Sequence, residues 1–308
     1  MTELKLRGVV PPVAVPLNDD RSIDHEGFAR HIDRLINAGV HGLFILGSSG
    51  EVAFSTVARR EEIIKTTMET VAGRVPVLCG VVDTQTDRVI EHIRVAERYG
   101  VDGLVATAPF YALGGVPQIE RHFRALREAT DLPIYAYDIP VCVGVKLPVD
   151  MLVRLGRDGV LQGVKDSSGD DVSFRFLVLE NKAAGSPLSL LTGHEVVVDG
   201  AYLAGADGSV PGLANVDADG YVAQWDAFEA GDWKKVAEIQ DRLARLMHIA
   251  LVPQGISGFG AGIGSFKTAC QLLGYFKTNQ MPEPVERLSG DNVERVAGVL
   301  REVGLLDA

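Results

Sequence analysis

Short apolar runs alternate with longer amphipathic stretches over the first two thirds of the chain. The runs are rich in Val, Ile and Leu and have few polar positions, the pattern of strands that are buried on both faces. Turn residues bound most of them. We therefore predict eight buried strands, over 9–16, 42–47, 75–82, 103–107, 132–137, 160–165, 188–192 and 208–210.

The stretches between these runs carry helical periodicity, and several end at a glycine that can stop a helix. Helices are predicted over 23–38, 57–72, 87–99, 118–130 and 149–155, with Gly39, Gly73, Gly100 and Gly156 as stops. Repeated strand–helix units require parallel strands with crossover helices, and eight units close a barrel. We predict that residues 1–214 form a (β/α)8 TIM barrel that carries the active site.

An open doubly wound sheet is the alternative to a barrel. It ordinarily shows a Gly-rich dinucleotide turn after the first strand, and the sequence that follows this strand, Val15 to Asp19, lacks one. Residues 215–308 contain no strand-like run. Their periodicity predicts a C-terminal helical extension, packed on the barrel, with helices over 221–229, 233–251, 266–275 and 292–303.

Composition narrows the function classes. The 308 residues have a formal net charge of −11, so the chain lacks the basic surplus that attracts nucleic acid or anionic lipid. No apolar run approaches the length of a membrane span, and the first residues mix both charge signs, so we expect a cytoplasmic protein. The three cysteines are far apart and the seven histidines show no ligand spacing. Neither a metal nor another cofactor is expected.

Lys165 is the most informative polar residue, because it ends a run that is otherwise almost wholly apolar. A buried lysine costs desolvation energy unless it is paired, and desolvation favours the neutral amine that acts as a nucleophile. Lys165 could therefore form a Schiff base with a carbonyl substrate. An ion pair with Asp166, or a stem that carries the amine out to water, would also account for a lysine at this position.

Two further segments place polar groups at strand ends, where barrel enzymes carry their reacting residues. The second strand ends in Gly47-Ser48-Ser49-Gly50, whose open amides and hydroxyls could bind a small carboxylate or could form a simple turn. The fifth strand brings Tyr137 to the same face as Tyr135. Each could equally be a core tyrosine.

Five motifs occur in order along the chain: Gly47–Glu51, Pro109–Tyr111, Tyr137–Pro140, Gly163–Ser167 and Leu203–Gly208. Together they resemble those of the dihydrodipicolinate synthase and N-acetylneuraminate lyase family. The resemblance implies a class I pyruvate aldolase or a close relative that needs no cofactor. Its partners would be a 2-keto acid, an aldehyde and further copies of the chain in a homotetramer built as a dimer of dimers.

The resemblance assigns four catalytic residues. Lys165 matches the lysine that forms the Schiff base with the 2-keto acid, and Tyr137 matches the tyrosine that moves protons to and from the substrate oxygen. Ser48 falls on the first hydroxyl residue of the family's pair, which completes this relay. Tyr111 aligns with the tyrosine that reaches into the neighbouring subunit's site.

The resemblance also assigns residues that bind the keto acid. Ser49 falls on the second hydroxyl residue, which grips the carboxylate together with the loop amides of Gly47 and Gly50. Gly193 and Val210 fall on positions that line the keto-acid pocket.

Two departures from the family pattern concern the second substrate. Cys142 stands where the lysine-biosynthesis synthases carry an arginine for the second carboxylate, and a thiol cannot make that bidentate contact. Val196 stands where the sialic-acid lyases carry a glutamate. The remaining expectation is a 2-keto-3-deoxy sugar acid, cleaved reversibly to pyruvate and an aldehyde. Its hydroxyls would contact Ser167, Ser168 and Glu195.

Three alternatives remain open at this point. The chain could be a 4-hydroxy-tetrahydrodipicolinate (dihydrodipicolinate) synthase in which Lys146 or an arginine from a neighbouring subunit replaces the missing cation. It could be a sugar-acid dehydratase, which begins with the same imine. It could also be a keto-acid-binding sensor, although binding alone would not require both Lys165 and Tyr137.

Overall fold

The computed structural model describes residues 4–307 and contains a barrel of eight parallel strands. The strands are β1 (Gly8–Val9), β2 (Leu43–Ile45), β3 (Val77–Gly80), β4 (Gly103–Ala106), β5 (Ile134–Asp138), β6 (Gly163–Asp166), β7 (Ser189–Thr192) and β8 (Gly208–Ser209). Their order is β1-β8-β7-β6-β5-β4-β3-β2, and an isolated parallel bridge between Pro12 and Phe44 joins the segment that follows β1 to β2. The predicted (β/α)8 barrel is confirmed.

Helices follow the strands and cover the outside of the barrel. They are α1 (His25–Asn37), α2 (Val57–Val71), α3 (Thr86–Arg98), α4 (Val116–Ala129), α5 (Pro140–Val143), α6 (Val149–Arg157), α7 (Asp171–Ala183), α8 (Val198–Ala204), α9 (Ala218–Glu229), α10 (Trp233–Leu246), α11 (Gly258–Leu272) and α12 (Asp291–Glu302). Short 3₁₀-helices span Val52–Phe54, Gly212–Asn215 and Met247–Ala250. Within residues 4–307, every helix is too short or too polar to cross a bilayer.

Three sequence predictions need correction. The first strand is shorter than the predicted 9–16, because Pro11 and Pro12 have no N–H to donate to a neighbouring strand. Gly156 does not stop α6: it lies inside the helix against Leu188, and Gly159, with φ +71°, follows the helix end. The helix predicted over 266–275 begins earlier, at Gly258, because its glycine-rich first turns hide the periodicity.

The barrel has two layers of core. Side chains on the outside of the strands pack against the helices in one large cluster, and a second cluster fills the barrel interior. Tyr135 and Tyr137 both point inward from β5 but lie at opposite ends. The Tyr135 hydroxyl donates to the Leu4 carbonyl at 2.6 Å and closes the end of the barrel at which the strands begin. Tyr137 therefore lies near the opposite end, where the strands finish, which we call the mouth of the barrel.

Asn215 ties the first and last strand segments together just after β8. Its side-chain amide donates to the carbonyls of Pro12 at 2.8 Å and Gly212 at 2.7 Å. Its side-chain oxygen accepts from the backbone N–H of Ala14 at 2.8 Å and lies 2.9 Å from His31 Nε2. Asn215 is fully buried, so water cannot replace these bonds.

We expect Asn215→Ala to lower the free energy of unfolding by about 3–5 kcal/mol, because several buried polar groups lose their partners. Urea unfolding measures the change. Asn37→Ala, at the exposed end of α1, is the matched control and should stay within about 0.5 kcal/mol of wild type. Equal stability of the two variants would contradict this role for Asn215.

Candidate active site

Lys165 and Tyr137 face each other inside the barrel because β5 and β6 pair in parallel with these two residues in register. The Lys165 amine donates to the Tyr137 hydroxyl oxygen at 3.1 Å. It also lies 4.2 Å from the centroid of the Tyr137 ring and 5.0 Å from that of Phe44. Aromatic faces therefore stabilise the cationic form of this amine when it is present.

The two structural explanations for a lysine at position 165, an exposed stem and an ion pair with Asp166, do not hold. The side chain is only 5% exposed, so its stem does not carry the amine out to water. Asp166 is bound elsewhere: the hydroxyl and backbone N–H of Ser168 donate to Asp166 Oδ1 at 2.6 and 2.8 Å, and Lys146 approaches Oδ2 at 3.5 Å. Ser168, expected as a substrate contact, is therefore engaged with Asp166.

A second hydroxyl extends the pair into a chain of three groups. Ser48 Oγ lies 3.3 Å from the Tyr137 hydroxyl, and either oxygen could donate. Lys165, Tyr137 and Ser48 are thus connected through exchangeable protons, as a relay requires.

The loop after β2 needs its glycines for steric reasons. A Cβ on Gly50 would lie 2.9 Å from the backbone nitrogen of Leu46, and a Cβ on Gly47 would lie 2.6 Å from the Phe44 ring. The loop also buries Ser49, whose Oγ would be 2.9 Å from a Cβ built on Gly212. The predicted loop residues therefore fold tightly against the barrel mouth.

A buried ion pair anchors this loop to the C-terminal helices. Glu51, with φ +59°, accepts a hydrogen bond from the Lys267 amine at 2.7 Å, and both side chains are nearly inaccessible to water. Burial raises the pKa of Glu51 and lowers that of Lys267, and the opposite charge of each partner counteracts these shifts. Sequence reasoning missed Lys267, because it lies 216 residues from its partner.

Lys146 lies behind the strands rather than at the mouth. It forms ion pairs with Asp138 and Asp166, the residues that directly follow Tyr137 and Lys165. Strand side chains alternate, so the two carboxylates point outward where the tyrosine and lysine point inward. Lys146 is therefore not available as the replacement cation that the synthase alternative would use.

Glu195 is half-buried at the site, and backbone groups already bind its carboxylate. Its two oxygens accept from the N–H groups of Gly212 at 2.7 Å and Leu213 at 2.8 Å. Burial raises its pKa to about 7, although these amides and the positive charge of Lys165 oppose the shift. Glu195 supports the wall of the mouth, and its oxygens are not free for several substrate hydroxyls.

Three more residues that were predicted to contact the substrate lie at the same end of the barrel as Tyr137. A Cβ on Gly193 would collide with Ser167 Oγ, so only glycine allows this approach. Val210 is buried in the same interior cluster as Tyr137, and its N–H donates to the Thr192 carbonyl at 2.7 Å. These contacts bring the predicted keto-acid pocket residues to one end of the barrel.

Cys142 and Tyr111 lie farther out. Cys142, on the short helix α5, lines a cavity of about 220 Å³ together with Ser48 and Tyr137, and burial raises the pKa of its thiol. Tyr111 is 95% exposed, with φ +72°, and no hydrogen bond in residues 4–307 connects it to Lys165. Its assignment to a neighbouring subunit's site stays a prediction.

The cavity also includes aromatic side chains that the sequence did not single out for this role. They are Phe54, Phe110 and Phe259. In residues 4–307 no group of three or more His, Cys, Asp or Glu side chains is arranged to hold a metal ion.

A closed (β/α)8 barrel with a buried lysine, a phenol and a hydroxyl at the carboxyl end of its strands has the arrangement of a TIM-barrel enzyme. The model of the dihydrodipicolinate synthetase family matches residues 5–303, and the chain belongs to this family. It is an enzyme of the family's class, a class I aldolase-type lyase.

Known relatives agree with this membership. The chain is 32% identical over 304 residues to an uncharacterized DapA-like lyase from Halobacterium salinarum, covering 98% of this chain and 96% of the relative. It is 32% identical over 251 residues to 4-hydroxy-tetrahydrodipicolinate synthase from Phenylobacterium zucineum, covering 82% and 84%. A prophage protein of the same family from E. coli K12, solved in complex with pyruvate, superposes with a TM-score of 0.91 at 26% identity, covering 97% and 99%.

Glu195 should make stability depend on pH. Its pKa rises from 4.5 to about 7 on folding, so between these values the folded chain keeps a proton that the unfolded chain has lost. The wild-type free energy of unfolding should therefore fall as pH rises from 4.5 to 7, by at most about 3 kcal/mol.

Urea unfolding of wild type and Glu195→Gln at pH 5 and pH 7.5 measures this effect. The variant should show the smaller change, since its amide does not titrate. Glu302→Gln, at an exposed position on α12, is the control and should follow wild type. Identical pH profiles for wild type and Glu195→Gln would contradict the assignment.

Proposed function

We propose that this protein forms a Schiff base between Lys165 and pyruvate or a similar 2-keto acid, and that it reversibly cleaves a 4-hydroxy-2-keto acid to pyruvate and an aldehyde. The observation that carries the proposal is the chain of contacts from the Lys165 amine to the Tyr137 hydroxyl at 3.1 Å and on to Ser48 at 3.3 Å. The pyruvate complex of the E. coli relative supports this choice of keto acid.

The proposed reaction begins when the neutral Lys165 amine attacks the ketone carbon and water leaves. The protonated imine then accepts the electron pair of the breaking carbon–carbon bond, while Tyr137 takes the proton of the 4-hydroxyl group. The aldehyde departs, and the enamine that remains gains a proton at carbon. Water then releases pyruvate and restores the lysine.

The keto-acid carboxylate is assigned to the loop after β2. Ser49 and the amides near Gly47 and Gly50 would supply the hydrogen-bond donors, and the Ser49 hydroxyl lies beside Gly212 at the same end of the barrel. This position leaves the Tyr137 side of the mouth for the aldehyde. The sequence-based expectation of a 2-keto-3-deoxy sugar acid stays a prediction.

The second candidate function is that of the synthase, which condenses pyruvate with aspartate semialdehyde. The name of the Phenylobacterium relative favours it. Two points oppose it: the resemblance places Cys142 where the synthases carry an arginine, and Lys146 is bound to Asp138 and Asp166. A sugar-acid dehydratase would share the same imine.

We also propose the homotetramer that the resemblance implies. Large apolar side chains are exposed beside the mouth, among them Tyr111 at 95%, Val141 at 89% and Leu113 at 60%. Apolar groups clustered in this way are typical of surfaces that a partner covers.

Incubation with pyruvate and borohydride should fix one pyruvate unit on wild type, because the reductant converts the imine to a stable amine. Intact-mass measurement detects the adduct. Lys165→Ala should show none, and Lys234→Ala, which removes an 88% exposed lysine, should show the wild-type adduct. An unmodified wild type, or an adduct on Lys165→Ala, would exclude the proposed imine.

Tyr137→Phe should keep the pyruvate adduct but lower kcat by about 100-fold or more, the effect expected when a positioned acid–base group is lost. Tyr135→Phe is the matched control, because its hydroxyl points to the opposite end of the barrel and bonds to the Leu4 carbonyl. Comparable turnover by Tyr137→Phe and wild type would show that the proton takes another route.

A further inference from the structure

The cavity beside Tyr137 has an unusual lining for an enzyme that handles polar metabolites. Eight of its thirteen lining residues are Val, Ala, Ile or Phe. Three of these eight are phenylalanines, and the rings of Phe54 and Phe259 lie 4.9 Å apart between centroids at an angle of 52°. Phe110 lines the same space. Burial of an apolar group of a ligand against such a surface is favourable, because both are removed from water.

Most of the polar groups in this lining already have partners. The Glu51 carboxylate is bound by Lys267, and Ser48 and Tyr137 contact each other beside the Lys165 amine. A sugar-like tail that entered here would lose hydrogen bonds to water without replacing them, which disfavours its binding.

Thr107 is the exception. Its side chain is 4% exposed and lines the cavity, and its Oγ1 has no hydrogen-bond partner among residues 4–307. Buried hydroxyls normally have a partner, so this oxygen is suited to one polar group of a ligand. It supplies one such contact, not several.

Within the part of the chain that the structure describes, the lining contains no arginine and no lysine. An aldehyde with its own carboxylate would therefore bury a negative charge without a cation of this chain beside it, which is strongly unfavourable. The cavity of about 220 Å³ is also below the range of about 300–1,000 Å³ typical for larger ligands, and its size suits a single ring or a branched chain.

We infer that the aldehyde half of the substrate is an uncharged, mainly apolar molecule of about the size of one aromatic ring, with at most one hydrogen-bonding group placed at Thr107. The inference rests on the proposed function, because it concerns the aldehyde that leaves or joins the Lys165 enamine. In the condensation direction the enamine carbon attacks the aldehyde carbon, one carbon–carbon bond forms, and the aldehyde oxygen takes the proton of Tyr137.

The test compares three aldehydes in condensation with pyruvate: benzaldehyde, glyceraldehyde and aspartate semialdehyde. We expect kcat/KM for benzaldehyde to exceed that for each of the other two by tenfold or more. A higher value for either of the other two, or values within threefold of one another, overturns the inference. Borohydride trapping of pyruvate runs in parallel, since a missing adduct would refute the proposed imine, whereas an adduct with the wrong aldehyde preference refutes only this inference.

Two variants connect the preference to the cavity. Phe259→Ser should raise KM for benzaldehyde at least fivefold and leave the KM for pyruvate unchanged. The control Phe176→Ser, on the half-exposed face of α7 and outside the cavity lining, should change neither. Equal effects of the two variants on benzaldehyde would show that the aldehyde binds elsewhere.

Thr107→Val tests the single polar contact, because valine keeps the shape and removes the hydroxyl. The ratio of kcat/KM for the monohydroxybenzaldehyde that wild type prefers to kcat/KM for benzaldehyde should fall about tenfold, because only the hydroxybenzaldehyde loses a hydrogen bond. If all three hydroxybenzaldehydes respond as benzaldehyde does, Thr107 holds no substrate group, and that part of the inference fails.

Discussion

The register between β5 and β6 is the constraint on which the site depends. Parallel pairing sets Tyr137 beside Lys165, and the alternation of strand side chains turns both into the barrel. The same register brings Asp138 beside Asp166 on the opposite face, where Lys146 binds both carboxylates. A slip of one residue would exchange the two faces and place acids inside the barrel. Lys146 therefore supports the alignment from behind.

Burial determines the chemistry of the mouth. Its charged groups are either paired, as Glu51 is with Lys267, or held by backbone amides, as Glu195 is by Gly212 and Leu213. These charged groups therefore stabilise the fold and are not available to a substrate. The Lys165 amine differs, because its close neighbours are a phenol and aromatic faces rather than a carboxylate. That leaves it free to change its bonding during a reaction.

The sequence predicted the barrel well because buried parallel strands are nearly continuous apolar runs. Eight such runs are the number of strands that closes a (β/α)8 barrel. Lys165 stood out for the same reason, as the charged residue that ended such a run. The cavity lining was not predictable in this way. Phe259 and Lys267 belong to a helix whose first turns, from Gly258, are rich in glycine, and both contact residues more than 200 positions earlier. Only the folded chain brings these positions together.

The contribution of α11 to the mouth has a consequence for protein engineering. Lys267 pairs with Glu51 in the loop after β2, and Phe259 forms part of the cavity wall. The strands and their loops therefore do not make a complete site by themselves. A barrel cut out after β8 would expose an apolar wall and leave a buried carboxylate without its cation. Chimeras that exchange specificity within this family should therefore transfer α11 together with the loop that follows β2, as a single unit.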